Sequence, residues 1–243
     1  MQEAQHDALL LLGAELLDRC EQHGVLRNVM SEIGLNPDRM AANAKASAQG
    51  GPFIPVTVDA AAGPFEAALT KLQPRLVIVE RLRSVMTSLP LRRPMPSAYE
   101  QTSGFGYRID PFTRGPAQHS GLDYRAEHGT PVRAVAQGRV VAAEYSGGYG
   151  NMVEIDHGNG MTTRYAHLSA FLVEEGQSVQ TGTILGRVGS TGRSTGAHLH
   201  YETRIDGEAV DPTRFIRAGQ KLAAMAPELM EPKGMPARQA LAP

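Results

Sequence analysis

The chain has 243 residues, 42% of them hydrophobic, which is enough for one large domain or two small ones with a buried core. Its 24 basic and 25 acidic side chains leave a formal charge of −1, which argues against a charge-driven binder of nucleic acid or anionic lipid. The single cysteine, Cys20, excludes an internal disulfide and any site needing two thiolates, leaving metal chemistry to eight histidines and the carboxylates.

Composition divides the chain near residue 97. Most glycines and all aromatics except Phe53 and Phe65 lie beyond that point, whereas the first part is rich in Leu, Ala, Arg and Glu. Glycine with aromatics is turn-and-strand chemistry, and the first part has helix chemistry. No stretch approaches the ~18 apolar residues of a membrane-spanning helix. The apolar run Ala8–Leu12 follows Glu3 and Asp7, so it does not read as a signal peptide.

In chain order, Leu9, Leu12, Leu16, Cys20, Val29 and Ile33 mark one face of a first helix, which Asn36-Pro37 is expected to end. A Pro/Gly-rich connector over 34–63 is expected to hold a short helix at 37–48. A second helix starts after Gly63, with Pro64 suited to its first position and a kink expected at Pro74. Its residues Phe65, Leu69, Leu72, Leu76 and Val79 step like a coiled-coil seam, and Leu82, Met86 and Leu89 continue the stripe. The two helices are expected to pack as an antiparallel hairpin; a partner-docking or self-associating coiled coil is the alternative.

Pro90, Pro94 and Pro96 mark a junction. Beyond it, short alternating segments separated by glycine turns (139–143, 152–156, 161–165, 184–188 and 198–203) predict antiparallel strands. The fold class expected is therefore α+β overall: a helical region at 1–96, a mainly antiparallel all-β domain at 97–216, and a Pro-rich arm at 217–243, extended or weakly helical.

Three segments of the β domain concentrate histidine: His119-Ser-Gly-Leu-Asp123, Tyr165-Ala-His167-Leu-Ser169 and Gly196-Ala-His198-Leu-His200-Tyr-Glu202. On a strand His198 and His200 project together while Leu199 points the other way. His119 and Asp123, four apart, can also share a face, and Gly121 allows close backbone approach between them. Two imidazoles and a carboxylate make a three-ligand set that leaves tetrahedral zinc one open position for water, whose pKa the metal can lower to about 7. Four histidines and one aspartate thus divide into three ligands and two proton-transfer assistants. His6, His23, His128 and His157 read as exposed or satisfied core residues, with 156–160 as a hairpin turn.

Residues from about 105 to 216 closely resemble the LytM/lysostaphin-like zinc metallopeptidase family. The resemblance rests on Gly104-Phe-Gly-Tyr-Arg108, the three histidine segments, 149–160, 173–189 and their order and spacing. It implies a peptidoglycan endopeptidase domain with one zinc per chain, held by His119, Asp123 and His200. By the same resemblance His167 and His198 flank the attacking water and the oxyanion, with base and acid left unassigned between them. Tyr149 and Asn151 are candidates for the substrate groove, with turn formation as the equal alternative. The implied partner is the peptidoglycan stem peptide, with a regulatory protein or self-association through the N-terminal helices. The implied location is the periplasm or cell envelope, so an upstream export or anchor segment is expected to be missing from this chain.

Two other functions compete on the sequence. One is a LytM-type module, zinc-loaded or empty, that binds and activates another cell-wall hydrolase; family members that act only as activators have lost ligands, whereas no ligand or assisting position is substituted here. A biotinyl or lipoyl carrier needs an acceptor lysine, and the β domain contains none. A hydrolase restrained by its N-terminal helices, which could cover the groove from a proline-rich hinge, is the expectation.

Overall fold

The computed structural model describes residues 21–44 and 77–230. The expected first half of helix one, the coiled-coil seam from Phe65 to Leu76, the kink at Pro74 and the end of the C-terminal arm lie outside the described residues. Two compact units divide the chain, one holding Met1–Met86 with Ala226–Pro243 and the other Thr87–Met225. The β domain expected at 97–216 lies within the second unit.

In the first unit, residues 21–32 are helical (α1) and bury Leu26, Val29 and Met30. Gly34, not Asn36-Pro37, terminates α1. Its φ of 83° lets its N–H reach the Ser31 carbonyl while the Leu35 N–H reaches that of Met30, the double bond of a Schellman turn. Asn36-Pro37 instead starts the next helix, α2 (Pro37–Asn43). Asn36 Oδ1 accepts from the Asp38 and Arg39 amides, and proline occupies a first-turn position that needs no donor. Arg27 of α1 grips Asp38 through two bonds of 2.6 and 2.9 Å. Residues 77–86 are helical (α3) with Val79, Leu82, Val85 and Met86 buried, the drifting stripe expected of them. Arg83 of α3 donates to Gln22 of α1.

The second unit is built on an antiparallel sheet of ten strands and a separate two-stranded hairpin. The strands are β1 (Gln101–Ser103), β4 (Leu122–Arg125), β5 (Pro131–Arg133), β6 (Gly138–Tyr145), β7 (Asn151–Gly158), β8 (Met161–Phe171), β9 (Ser178–Val179), β10 (Ile184–Val188), β11 (His198–Ile205) and β12 (Glu208–Val210). The hairpin pairs β2 (Gly106–Ile109) with β3 (Pro116–His119). The main path runs β1-β4-β11-β8-β7-β6-β9, so the two longest-range neighbours of β11 are β4 and β8. Alternation packs Leu122, Tyr124, Tyr165, Leu199 and Tyr201 into one core and leaves the opposite face of the same strands for polar groups. The turn joining β7 to β8 has Asn159 and Gly160 both at positive φ (55° and 76°), the pair a two-residue hairpin demands.

The expected extended or weakly helical arm beyond Ile216 is replaced by a helix, α4 (Pro212–Met225). Asp211 Oδ1 caps its start, and Phe215, Ile216, Gly219 and Leu222 form its buried stripe. Gly219 is required there, because a Cβ would lie 2.0 Å from the Leu91 carbonyl oxygen. A glycine inside a polar, Arg/Lys/Gln-bearing segment conceals this helix from a reading of periodicity.

Candidate metal centre

β4 and β11 pair so that Asp123 stands opposite His200, Leu122 opposite Tyr201 and Tyr124 opposite Leu199. The Leu/Tyr partners of the core therefore fix which face Asp123 and His200 take, since a one-residue slip would exchange them. His119 ends β3 and reaches the same place through Ser120-Gly121. A Cβ at Gly121 would lie 2.3 Å from the Tyr201 carbonyl and 3.0 Å from His200 Cε1, so only glycine lets this connection cross β11 so closely.

Three atoms meet at this crossing. His119 Nε2 lies 3.1 Å from Asp123 Oδ1 and 3.2 Å from His200 Nδ1, and the last two are 2.8 Å apart. All three residues are buried, and among the described residues they are the one group of three whose donors converge in this way. Burial would raise the Asp123 carboxyl, but its close approach to the His119 and His200 rings outweighs it and holds it well below the usual carboxylate range. Burial alone would lower His200; its bonds to Asp123 and Glu202 dominate and raise it to about 9. Two imidazoles with one carboxylate, their donor atoms this close together, are a set that could hold a metal ion and that zinc takes.

His167 enters the cleft by a different device. Between the pairs Val153–Tyr165 and Asn151–Leu168, β7 has one residue, Met152, where β8 has two, Ala166 and His167. At this bulge His167 adopts φ 59°, a left-handed conformation that is costly for a non-glycine residue. Strict alternation would put Tyr165 and His167 on one face. Instead Tyr165 stays in the core, where its hydroxyl accepts from the Val135 amide, and His167 turns into the cleft. Burial pushes His167 down to about 4, against the opposing effect of its bond to the Thr191 carbonyl, so the ring is neutral near pH 7.

Each histidine is held by one ring nitrogen and offers the other. His119 Nδ1–H donates to the Gly104 carbonyl at 2.6 Å, His167 Nδ1–H to that of Thr191 at 2.8 Å, and His198 Nδ1–H to that of Gly196 at 2.7 Å. A carbonyl only accepts, so these contacts fix the tautomers and leave Nε2 of His119, His167 and His198 with a lone pair. His200 is reversed: Nε2–H donates to the Glu202 carboxylate at 3.0 Å and Nδ1 faces Asp123. The rings of His167 and His198 are 4.7 Å apart, and His198 Nε2 is 3.8 Å from Asp123 Oδ1.

The cleft over these groups encloses about 770 Å³ and is bordered by Arg108, Phe112, Tyr149 and Arg193 among others. Five of the seven expected site residues, His119, Asp123, His167, His198 and His200, come together there. Tyr149 borders the cleft, but its hydroxyl donates to Glu202 at 2.9 Å. Asn151 does not line the cleft: its side-chain amide donates to the Leu168 carbonyl and its backbone N–H to Thr191 Oγ1, bracing the bulge instead of facing a ligand. His157 is a satisfied core residue, bonded to the Gln137 carbonyl and Thr163 Oγ1. Two residues of the site lie outside the sequence expectation: Arg108, which donates to Ser103 Oγ and contacts Asp123 Oδ2 at 3.4 Å, and Glu202. Glu202 was detectable by spacing, as it stands two residues from His200 on the same strand face.

Comparison with known proteins matches this region. Residues 117–212 fit the family model of Peptidase family M23. DD-carboxypeptidase/endopeptidase Mpg of Neisseria meningitidis serogroup B is 55% identical over 111 residues, covering 46% of this chain and 26% of that protein. Peptidoglycan DD-endopeptidase ShyA of Vibrio cholerae serotype O1 is 40% identical over 138 residues, covering 56% of this chain and 31% of that protein. A solved structure of a zinc containing peptidase from Vibrio cholerae is 38% identical with a TM-score of 0.47, covering 49% of this chain and 38% of that one. The chain thus spans about a quarter to a third of the length of these two curated relatives.

Proposed function

We propose that this chain is a zinc-dependent endopeptidase that hydrolyses peptide cross-links of bacterial peptidoglycan. The observation that carries the proposal is the meeting of His119 Nε2, Asp123 Oδ1 and His200 Nδ1 in a cleft that the anchored rings of His167 and His198 also line. Relatives named for DD-endopeptidase activity support a bond of that class as the target. Zinc held by His119 Nε2, Asp123 Oδ1 and His200 Nδ1 supplies a Lewis acid for the scissile carbonyl and a water of lowered pKa.

The chain's own groups do the rest. His167 and His198 face the cleft with Nε2 lone pairs, so either accepts a proton from the attacking water. The ring that takes it then returns that proton to the leaving amine, while the other ring flanks the developing oxyanion. Tyr149, its hydroxyl held by Glu202, borders the peptide with its ring. A peptidoglycan substrate implies action in the periplasm or cell envelope. No helix of the described residues is long and apolar enough to cross a membrane.

Digestion of purified sacculi tests the proposal: cross-linked muropeptides are expected to fall and monomers to rise, with the effect lost on chelation and in His119→Ala. Zinc fully bound with no peptide released would favour a LytM-type module that activates another hydrolase. Restraint by the N-terminal helices within 1–96 is part of the same proposal, and deletion of residues 1–86, which spares the unit beginning at Thr87, is expected to raise the hydrolysis rate; an unchanged or lower rate opposes it.

A further inference from the structure

Glu202 has no solvent exposure, yet its carboxylate is paired with the Arg204 guanidinium and surrounded by side-chain donors. Its Oε1 accepts from His200 Nε2, the Tyr149 hydroxyl and the Ser120 hydroxyl, and its Oε2 accepts from Arg204 Nη1 at 2.6 Å. A lone carboxylate in such a place costs several kcal/mol, so four donors have been gathered to hold it. The other three cleft histidines show that a backbone carbonyl is enough to fix a tautomer. His200 alone is held by a charge.

From this difference we infer that Glu202 is a positioning residue for the metal centre, setting both which nitrogen of His200 faces the ion and how strongly that nitrogen donates. A negative acceptor on Nε2–H makes Nδ1 more basic, which a neutral carbonyl does far less. The same oxygen ties together the surroundings of the ligands. Ser120 adjoins His119 on the crossing over β11, and Tyr149 packs its ring 5.9 Å from that of His200. The carboxylate therefore fixes the crossing, the imidazole and the cleft wall in one contact. The inference rests on the zinc reading above.

The test is zinc affinity of the full chain, by competition with a chromophoric chelator, for wild type, Glu202→Gln and Arg204→Gln. Glutamine keeps the shape but removes the charge on His200, and the dissociation constant is expected to rise about 10–100-fold. Arg204→Gln removes the partner of Oε2, which also holds the Gly207 carbonyl, without touching His200. Because the contact of Oε1 with His200 remains, this variant is expected to lower the melting temperature and to weaken zinc binding clearly less than Glu202→Gln does. Should Glu202→Gln not fold, Glu202→Asp, with its carboxylate drawn back one methylene, carries the same expectation. Wild-type affinity in the Glu202 variant, or equal loss in both variants, overturns the positioning role while leaving the zinc site intact. Failure of the wild type itself to bind zinc overturns the metal reading instead.

Discussion

Asp123 and His200 face each other across β4 and β11, so the closest pair of the candidate metal centre is a cross-strand pair set by sheet register. The same register places Leu122, Tyr124, Leu199 and Tyr201 in the core. Register of this kind is specified by hydrophobic burial, which means that the core holds the ligand geometry even before an ion arrives.

The tightest steric condition on that geometry is Gly121. Gly121→Ala forces a methyl against the Tyr201 carbonyl and the His200 ring, and something must shift. The β3–β4 connection is expected to lift from β11, carrying His119 away from His200. Stability should drop by about 1–3 kcal/mol, as in overpacked cores, and zinc affinity should fall with it. Chemical denaturation and chelator competition on one preparation read both effects.

His167 bears backbone strain that its function requires. Removing the imidazole by His167→Ala leaves a Cβ at φ 59°, whereas His167→Gly removes both ring and strain. Both variants are expected to lose hydrolysis and retain zinc. The glycine variant should be the more stable of the two, by about 1 kcal/mol. Zinc loss in either would place His167 among the ligands instead.

Asn151 is expected to act through stability. Asn151→Ala removes one of two side-chain donors to the Leu168 carbonyl, which keeps the Thr191 hydroxyl, and should cost about 0.5–1.5 kcal/mol in denaturation. Because the amide braces the bulge, the rate constant should fall with little change in KM.

His157 gives the fold an acid-sensitive point. Burial lowers it below its ordinary value of 6.5, so the unfolded chain binds more protons than the folded one as pH drops below that value. Stability contributed by the neutral ring is thus present above pH 6.5 and lost as pH falls through the lowered folded value. In His157→Gln, unfolding free energy between pH 6.5 and 5 should depend less steeply on pH than in wild type. An unchanged slope would contradict a neutral buried ring.

Much of the site was legible because two-residue periodicity and local spacing act directly. His198 and His200 share a face with Leu199 buried opposite, and Gly121 admits the close crossing, as the sequence indicates. His167 was legible as a residue but not as a geometry, since nothing local in Tyr165-Ala-His-Leu announces a bulge that reverses its face. Asn151 shows the converse limit: its side chain answers a carbonyl on a neighbouring strand, a partner that only the tertiary fold supplies. The helix α4 was hidden because its buried stripe includes Gly219, whose value lies in contact with Leu91, distant in sequence.

The most direct measurement is muropeptide analysis of sacculi digested by the chain before chelation, after chelation and after zinc is returned. Release of cross-linked peptides should stop on chelation, resume with zinc, and be absent from His119→Ala at every stage. Unchanged release from chelated protein, or from His119→Ala, would contradict the metal centre as the seat of hydrolysis.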